Sequence, residues 1–173
     1  MSVKIEGLGE VLDAISAMAD EQELRKAMGK ACELVEGEAR KKAQAIKDTG
    51  ALSQSIESVV EGNGNDITGV VFTPLEYAPY IEYGTGMYAE NGNGRQGYWV
   101  YVKDSKGGIS QSSKNGGKTY TLEEAKKVMA MLCADGLDAH ISCGVHPRPF
   151  LRPALHENRD TILRILKGGL KRD

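Results

Sequence analysis

Apolar residues recur at three- and four-residue spacing over Leu8, Val11, Leu12, Ile15, Met18 and Ala19, which predicts an amphipathic helix. A longer helix is predicted over 20–46. Its stripe is Leu24, Ala27, Met28, Ala31, Leu34, Val35, Ala39, Ala43 and Ile46, and its polar face carries Lys30, Glu33, Glu36, Arg40 and Lys41. At ~1.5 Å per residue it spans about 40 Å, so it must lie across a sheet or against a neighbouring subunit. Gly50 suits a left-handed cap after it. The period then drops to two. Segments 55–60 and 67–72 read as strands of a hairpin, joined by the turn-forming stretch 61–66 and closed by Pro74.

Tyr77, Tyr80 and Tyr83 are spaced to share one face of a short helix, and 98–103 reads as a third strand. Thr121 and Glu124 form a capping-box pattern ahead of the stripe Leu122, Ala125, Val128, Met129 and Leu132, and Gly136 stops that helix. A short fourth strand is expected over 140–145. Pro147 and Pro149 keep the chain extended, and Pro153 is expected to open a last helix with Leu155, Ile162, Leu163, Ile165 and Leu166 inward. The class is α+β: a small, mostly antiparallel sheet packed with a long N-terminal helix and a C-terminal helix. The expected core is Leu24, Met28, Val35, Ile56, Val70, Phe72, Phe150, Leu155 and Ile162. Segments 87–97 and 106–118, rich in Gly, Asn, Ser and Lys, are expected to be mobile loops.

With 173 residues the chain is read as one domain, 1–173, able to bury a core without staples. A net charge of −2 excludes a general nucleic-acid coater, and no apolar run approaches the ~18 residues of a membrane span. The N-terminus lacks a secretory signal, so a cytoplasmic protein is expected. Three dispersed cysteines predict no disulfide framework. Charge is uneven: 148–173 carries +4 and the remainder −6, a basic segment on an acidic body. Of ten aromatic residues, Tyr77, Tyr80, Tyr83, Tyr88, Tyr98, Trp99 and Tyr101 cluster between 77 and 101, either as core or as protein contacts.

The usual chemical signatures fail. Gly92-Asn93-Gly94-Arg95-Gln96-Gly97 fits a dinucleotide loop in spelling only, because a strand follows it where a helix is needed. Gly117-Lys118-Thr119 lacks the first glycine of a phosphate loop, since position 112 is Ser112. Cys133, His140, Cys143 and His146 match no structural zinc spacing. The expectation is a protein that is not an enzyme and has no cofactor, metal or catalytic residue. The alternatives are a nucleic-acid-binding module using the aromatic segment and basic tail, or a small metal-dependent enzyme built on the Cys/His set.

Four segments, taken in order, resemble one family. They are Thr49-Gly50-Ala51-Leu52-Ser53-Gln54-Ser55-Ile56, Tyr77-Ala78-Pro79-Tyr80-Ile81-Glu82-Tyr83-Gly84-Thr85-Gly86, Trp99-Val100-Tyr101-Val102, and Pro147-Arg148-Pro149-Phe150-Leu151-Arg152-Pro153-Ala154-Leu155. The chain resembles the gene-product-ten-like tail components of long-tailed double-stranded DNA phages and prophages, described as neck, head–tail joining or tail-completion proteins. The resemblance implies a non-catalytic virion subunit that forms a homo-oligomeric ring between the connector and the tail tube. It implies assembly in the host cytoplasm, with no membrane and no sequence-specific nucleic acid as partner. The stretch 87–145 exceeds what a minimal member needs and reads as a family-variable insertion. Tyr77, Tyr80, Tyr83, Trp99, Arg148 and Arg152 are the candidate assembly interface. The two arginines are expected to project together from the extended segment toward an acidic neighbour.

Overall fold

The computed structural model describes residues 2–4, 21–46, 50–63, 66–103 and 118–168. The expected helix over 8–19 lies outside the described residues, as does 104–117, most of the second expected loop. The chain divides into two compact units, 1–82 with 149–173, and 83–148.

The first unit is a helix laid on a sheet. Strand β1 (Ser2–Lys4) is followed by the long helix α1 (Glu21–Gln44), the short helix α2 (Ala51–Gln54), the hairpin β2 (Glu57–Glu61) and β3 (Thr68–Phe72), and helix α3 (Ala78–Tyr83). The three strands form an antiparallel sheet in the order β1-β3-β2. In α1 the buried residues are Leu24, Ala27, Met28, Ala31, Cys32, Val35, Ala39 and Ala43, the period-3.6 stripe read from the sequence. Gly50 takes the left-handed conformation (φ 81°) at the start of α2, where only glycine sits without strain.

The second unit holds strands β4 (Trp99–Lys103) and β5 (Asp138–Ser142), paired antiparallel, with helix α4 (Leu122–Ala134) between them in sequence. The capping box at α4 is formed on both sides, Thr121 accepting from the Glu124 amide and Glu124 from the Thr121 amide. Back in the first unit, α5 (Leu151–Glu157) and α6 (Arg159–Gly168) close the chain and pack on α1. The α+β class holds, but with two separate sheets where one was expected. The last helix is broken at Asn158, and Pro153 is its third residue rather than its first. It still lies in the first turn, where a missing amide hydrogen costs little.

Leu24, Met28, Val35, Ile56, Phe150 and Ile162 are buried as expected, but Val70, Phe72 and Leu155 are only half-buried. In β3 the buried positions are Gly69 and Val71, so α1 lies on the opposite face of that strand from the one expected. A Cβ on Gly69 would stand 2.4 Å from Cys32 Sγ and 3.0 Å from Met28 Sδ. Glycine is there because the helix comes so close. Cys32 itself is sealed between helix and strand. Burial pushes its thiol up to about 11, helped by Glu36 and Glu33.

Two outcomes follow for solution measurements. Gly69→Ala should destabilise the fold by ~1–3 kcal/mol in urea unfolding. Cys32→Ala in the same chain should recover part of that loss by vacating the space. An unfolded thiol ionises near its ordinary value of 9.0, while the folded one holds its proton to about 11. Stability should therefore fall as pH rises between these values, by up to ~1.4 kcal/mol per pH unit. Unfolding curves of the parent and Cys32→Ala at pH 8 and pH 10 should differ by that component.

Candidate functional site

The centre of the first unit is a carboxylate. Helix α3 buries two of its residues, Ala78 and Glu82, four apart and hence on one face. Glu82 is fully buried, 0% exposed, at the start of α5. Its Oε2 accepts from the backbone amides of Phe150 (2.7 Å) and Leu151 (3.0 Å). Its Oε1 accepts from the Arg152 amide and from Arg152 Nε, both at 3.0 Å. Arg152 also donates from a terminal nitrogen to the Glu82 carbonyl at 3.0 Å. The carboxylate thus satisfies the free amides of a helix start and neutralises the one guanidinium beside them. Phe150, at the N-cap position, offers no side-chain acceptor because its ring fills the core at 0% exposure.

This overturns one expectation. Arg152 does not project toward a neighbour; it folds back on Glu82, its side chain about one-third exposed (32%). Arg148 is exposed. Tyr77 precedes α3 and packs against the core, so it does not share the outer face of that helix. Tyr80 (62%) and Tyr83 (40%) do stand outward from α3. Trp99 is half-buried in the second unit, under the Arg95 guanidinium at 4.8 Å from the ring centroid.

The Gly/Asn stretch 87–97 is built on close main-chain contact. Gly86 opens a 3₁₀ turn, and a Cβ on Gly94 would meet the Gly86 carbonyl oxygen at 1.9 Å. Thr85 and Met87 donate their amides to the Val145 and Cys143 carbonyls, both at 2.9 Å. Of the glycines that spelled a dinucleotide loop, Gly94 serves this backbone packing, Gly97 lies against Thr119 and Tyr120, and Gly92 turns the chain in open space with a positive φ. The Cys/His set is dispersed over separate partners. His146 stacks on Tyr88, His140 stacks on Tyr101 and lies 2.9 Å from Asp138, and Cys133 is exposed. Cys143 Sγ lies 3.7 Å from the Tyr88 hydroxyl, a contact that raises the ionisation of that phenol above its ordinary value. Among the described residues no group of three or more His, Cys, Asp or Glu side chains could hold a metal ion, and no helix is long and apolar enough to cross a membrane.

Sequence reading missed two features of the first unit. One is the Glu82 lock, whose partners lie 68 to 70 residues away. The other is an open groove of about 300 Å³ between α1 and α6, lined by Glu23, Lys26, Ala27, Lys30, Arg164 and Ile165 among others. The signal for the groove was the basic excess of the C-terminal segment, which α6 carries onto the side of α1.

Residues 6–84, a little under half of the chain, match the family model described as "Bacteriophage HK97-gp10, putative tail-component". No curated protein and no solved structure gives a significant match to the chain.

Glu82→Ala should lower stability by ~3–5 kcal/mol, because it leaves three amides at the start of α5 without their acceptor and removes the charge that answers the Arg152 guanidinium. Arg152→Ala should cost less, ~1–3 kcal/mol, since the carboxylate keeps its amide donors. Urea unfolding of the two variants beside the parent checks the order.

Proposed function

We propose, from the match of residues 6–84 to the HK97-gp10-like family model of phage tail components, that the protein is a structural subunit of the virion's head–tail junction. In this reading copies form a ring between the connector and the tail tube, and complete the neck before heads and tails join. The role is mechanical and non-catalytic. Assembly takes place in the host cytoplasm, and the finished subunit resides in the particle. Its partners are further copies of itself and the connector and tail-tube proteins.

The family match carries this reading, and the geometry of α3 supports it. Glu82 fastens the inner face of that helix to the start of α5. Tyr80 and Tyr83 are thereby presented outward on a fixed backbone. Rigid aromatic side chains lose little conformational freedom on contact, which suits them to protein interfaces. A net charge of −2 gives no long-range attraction toward nucleic acid.

Deleting the gene from an inducible prophage should leave heads and tails unjoined in electron micrographs, and complementation should restore joined particles. Tyr80→Ala with Tyr83→Ala should shift stability by no more than about 0.5 kcal/mol per site, as exposed substitutions do, and still reduce the yield of infectious particles. Normal yields of joined particles from the deletion would remove the role.

A further inference from the structure

Helix α1 separates two surfaces of opposite charge. Successive residues of a helix are ~100° apart around its axis. Arg25, Glu36 and Arg40 therefore fall within about 60° of one another, and all three reach toward the hairpin. Arg25 bonds the Gly62 carbonyl and Asn63, Glu36 accepts from Ser58 on β2, and Arg40 holds the Ile56 carbonyl at 2.7 Å. Lys26 and Lys30 lie about 80° and 120° from Glu36, in the middle of that arc, and line the groove against α6. The hairpin and the groove thus occupy opposite flanks of α1.

The groove carries more cations than anions on its lining, Lys26, Lys30 and Arg164 against Glu23, with Ile165 as its main apolar residue. Lys30 stands on the α1 rim, Arg164 on the α6 rim, and Ala27 and Ile165 lie between them. Lys167 stands one turn beyond Arg164. Lys26 is engaged with Glu23 at 2.7 Å, but among the described residues no carboxylate pairs with Lys30, Arg164 or Lys167. On the other flank, β2 is an edge strand. Its alternation turns Glu57, Val59 and Glu61 outward together, and all three are exposed. Neither glutamate has a cation within the described residues. One flank thus offers anion, apolar, anion along a strand; the other offers cation, apolar, cation across a groove.

We propose that the β2 edge of one copy, through Glu57, Val59 and Glu61, docks into the α1–α6 groove of the next copy, through Lys30 and Arg164. Donor and acceptor are different patches on opposite flanks, so the contact is head-to-tail and repeats around a ring. The charges set partner orientation, and Val59 against Ile165 supplies the apolar contact. This rests on the proposed oligomeric role and names the surfaces that carry it.

The test is a charge swap on the full-length protein, read by sedimentation velocity over a concentration series. All four charged positions are on the surface, and a thermal melt of each variant verifies folding. Lys30→Glu with Arg164→Glu, and separately Glu57→Lys with Glu61→Lys, should each weaken self-association at least ~10-fold, because each places like charges face to face. An equimolar mixture of the two variants should assemble as the parent does, since every contact between unlike copies regains opposite charges. Association of the parent should weaken with added salt. If both variants assemble like the parent, or if the mixture fails where the parent succeeds, this docking is wrong and the ring reading stands without it. A parent that stays monomeric throughout would overturn the docking and the self-assembling role together.

Discussion

Everything in the first unit depends on where one carboxylate goes. A buried acidic group is costly unless its lone pairs and its charge are both answered. Glu82 has three backbone amides and a guanidinium, so it is answered in full. The bond also solves a problem at the other end. The first turn of α5 needs an acceptor, and the local position that would supply one is Phe150, whose ring is required in the core. A remote glutamate lets that site be aromatic while the helix start is still capped. The chain leaves the first unit after residue 82 and re-enters it at 149, so the lock sits where the excursion begins and ends. Closing a longer loop costs only ~0.6 kcal/mol per doubling of its length. A pinned start and finish therefore tolerate a large unit between them without loss of register in α3 or α5.

The second constraint is the closeness of α1 to the sheet. Gly69 has no side chain because Cys32 and Met28 occupy the space where one would be. That approach seals the Cys32 thiol away from water and fixes which residues of the hairpin can be buried. It also defines the two flanks of α1, one tied to the hairpin through Arg25, Glu36 and Arg40, the other bordering α6. Helix packing thus decides not only the core but also which charges are consumed locally and which remain at the surface.

These constraints mark what local sequence can and cannot disclose. The stripe of α1, the hairpin, the capping box and the α+β class were legible, because each depends on spacing within one element. The buried face of β3 was not. Alternation defines two faces and says nothing of which one the helix covers, and Val70 and Phe72 made the wrong face the more apolar. The isolated Gly69 was the available signal for the other choice. The fate of Arg152 was hidden for a different reason. Its proline-flanked segment suggested an outward pair with Arg148, but its partner lies 70 residues upstream. That partner is a glutamate set among aromatic and apolar residues, in Tyr77-Ala78-Pro79-Tyr80-Ile81-Glu82-Tyr83. An acid in such company is already a hint that it is needed inside. The two segments that most specifically carry the family resemblance are the two that meet at this bond.

The units differ in how they hold together, and the difference bears on assembly. The first buries a run of aliphatic and aromatic side chains from α1, α5, α6 and the sheet. The second has Val102, Ala125 and Ala139 as its buried hydrophobic residues among those described, and leaves Leu122, Met131, Leu137 and Val145 exposed. Its order comes from main-chain contact, with Thr85 and Met87 bonded across to Val145 and Cys143, and glycines where the backbones meet. A two-stranded sheet under one helix gains little from burial by itself. A unit built that way keeps its large apolar side chains at the surface, where a neighbouring protein can cover them. The first unit, by contrast, already has its core and offers neighbours mainly charge, with Tyr80 of α3. Charged contacts at an exposed surface orient partners more than they bind them. In an assembly of the kind proposed, lasting cohesion therefore has to come from apolar and aromatic area: Tyr80 and Tyr83, Val59 on its edge strand, and the exposed Leu122, Met131, Leu137 and Val145.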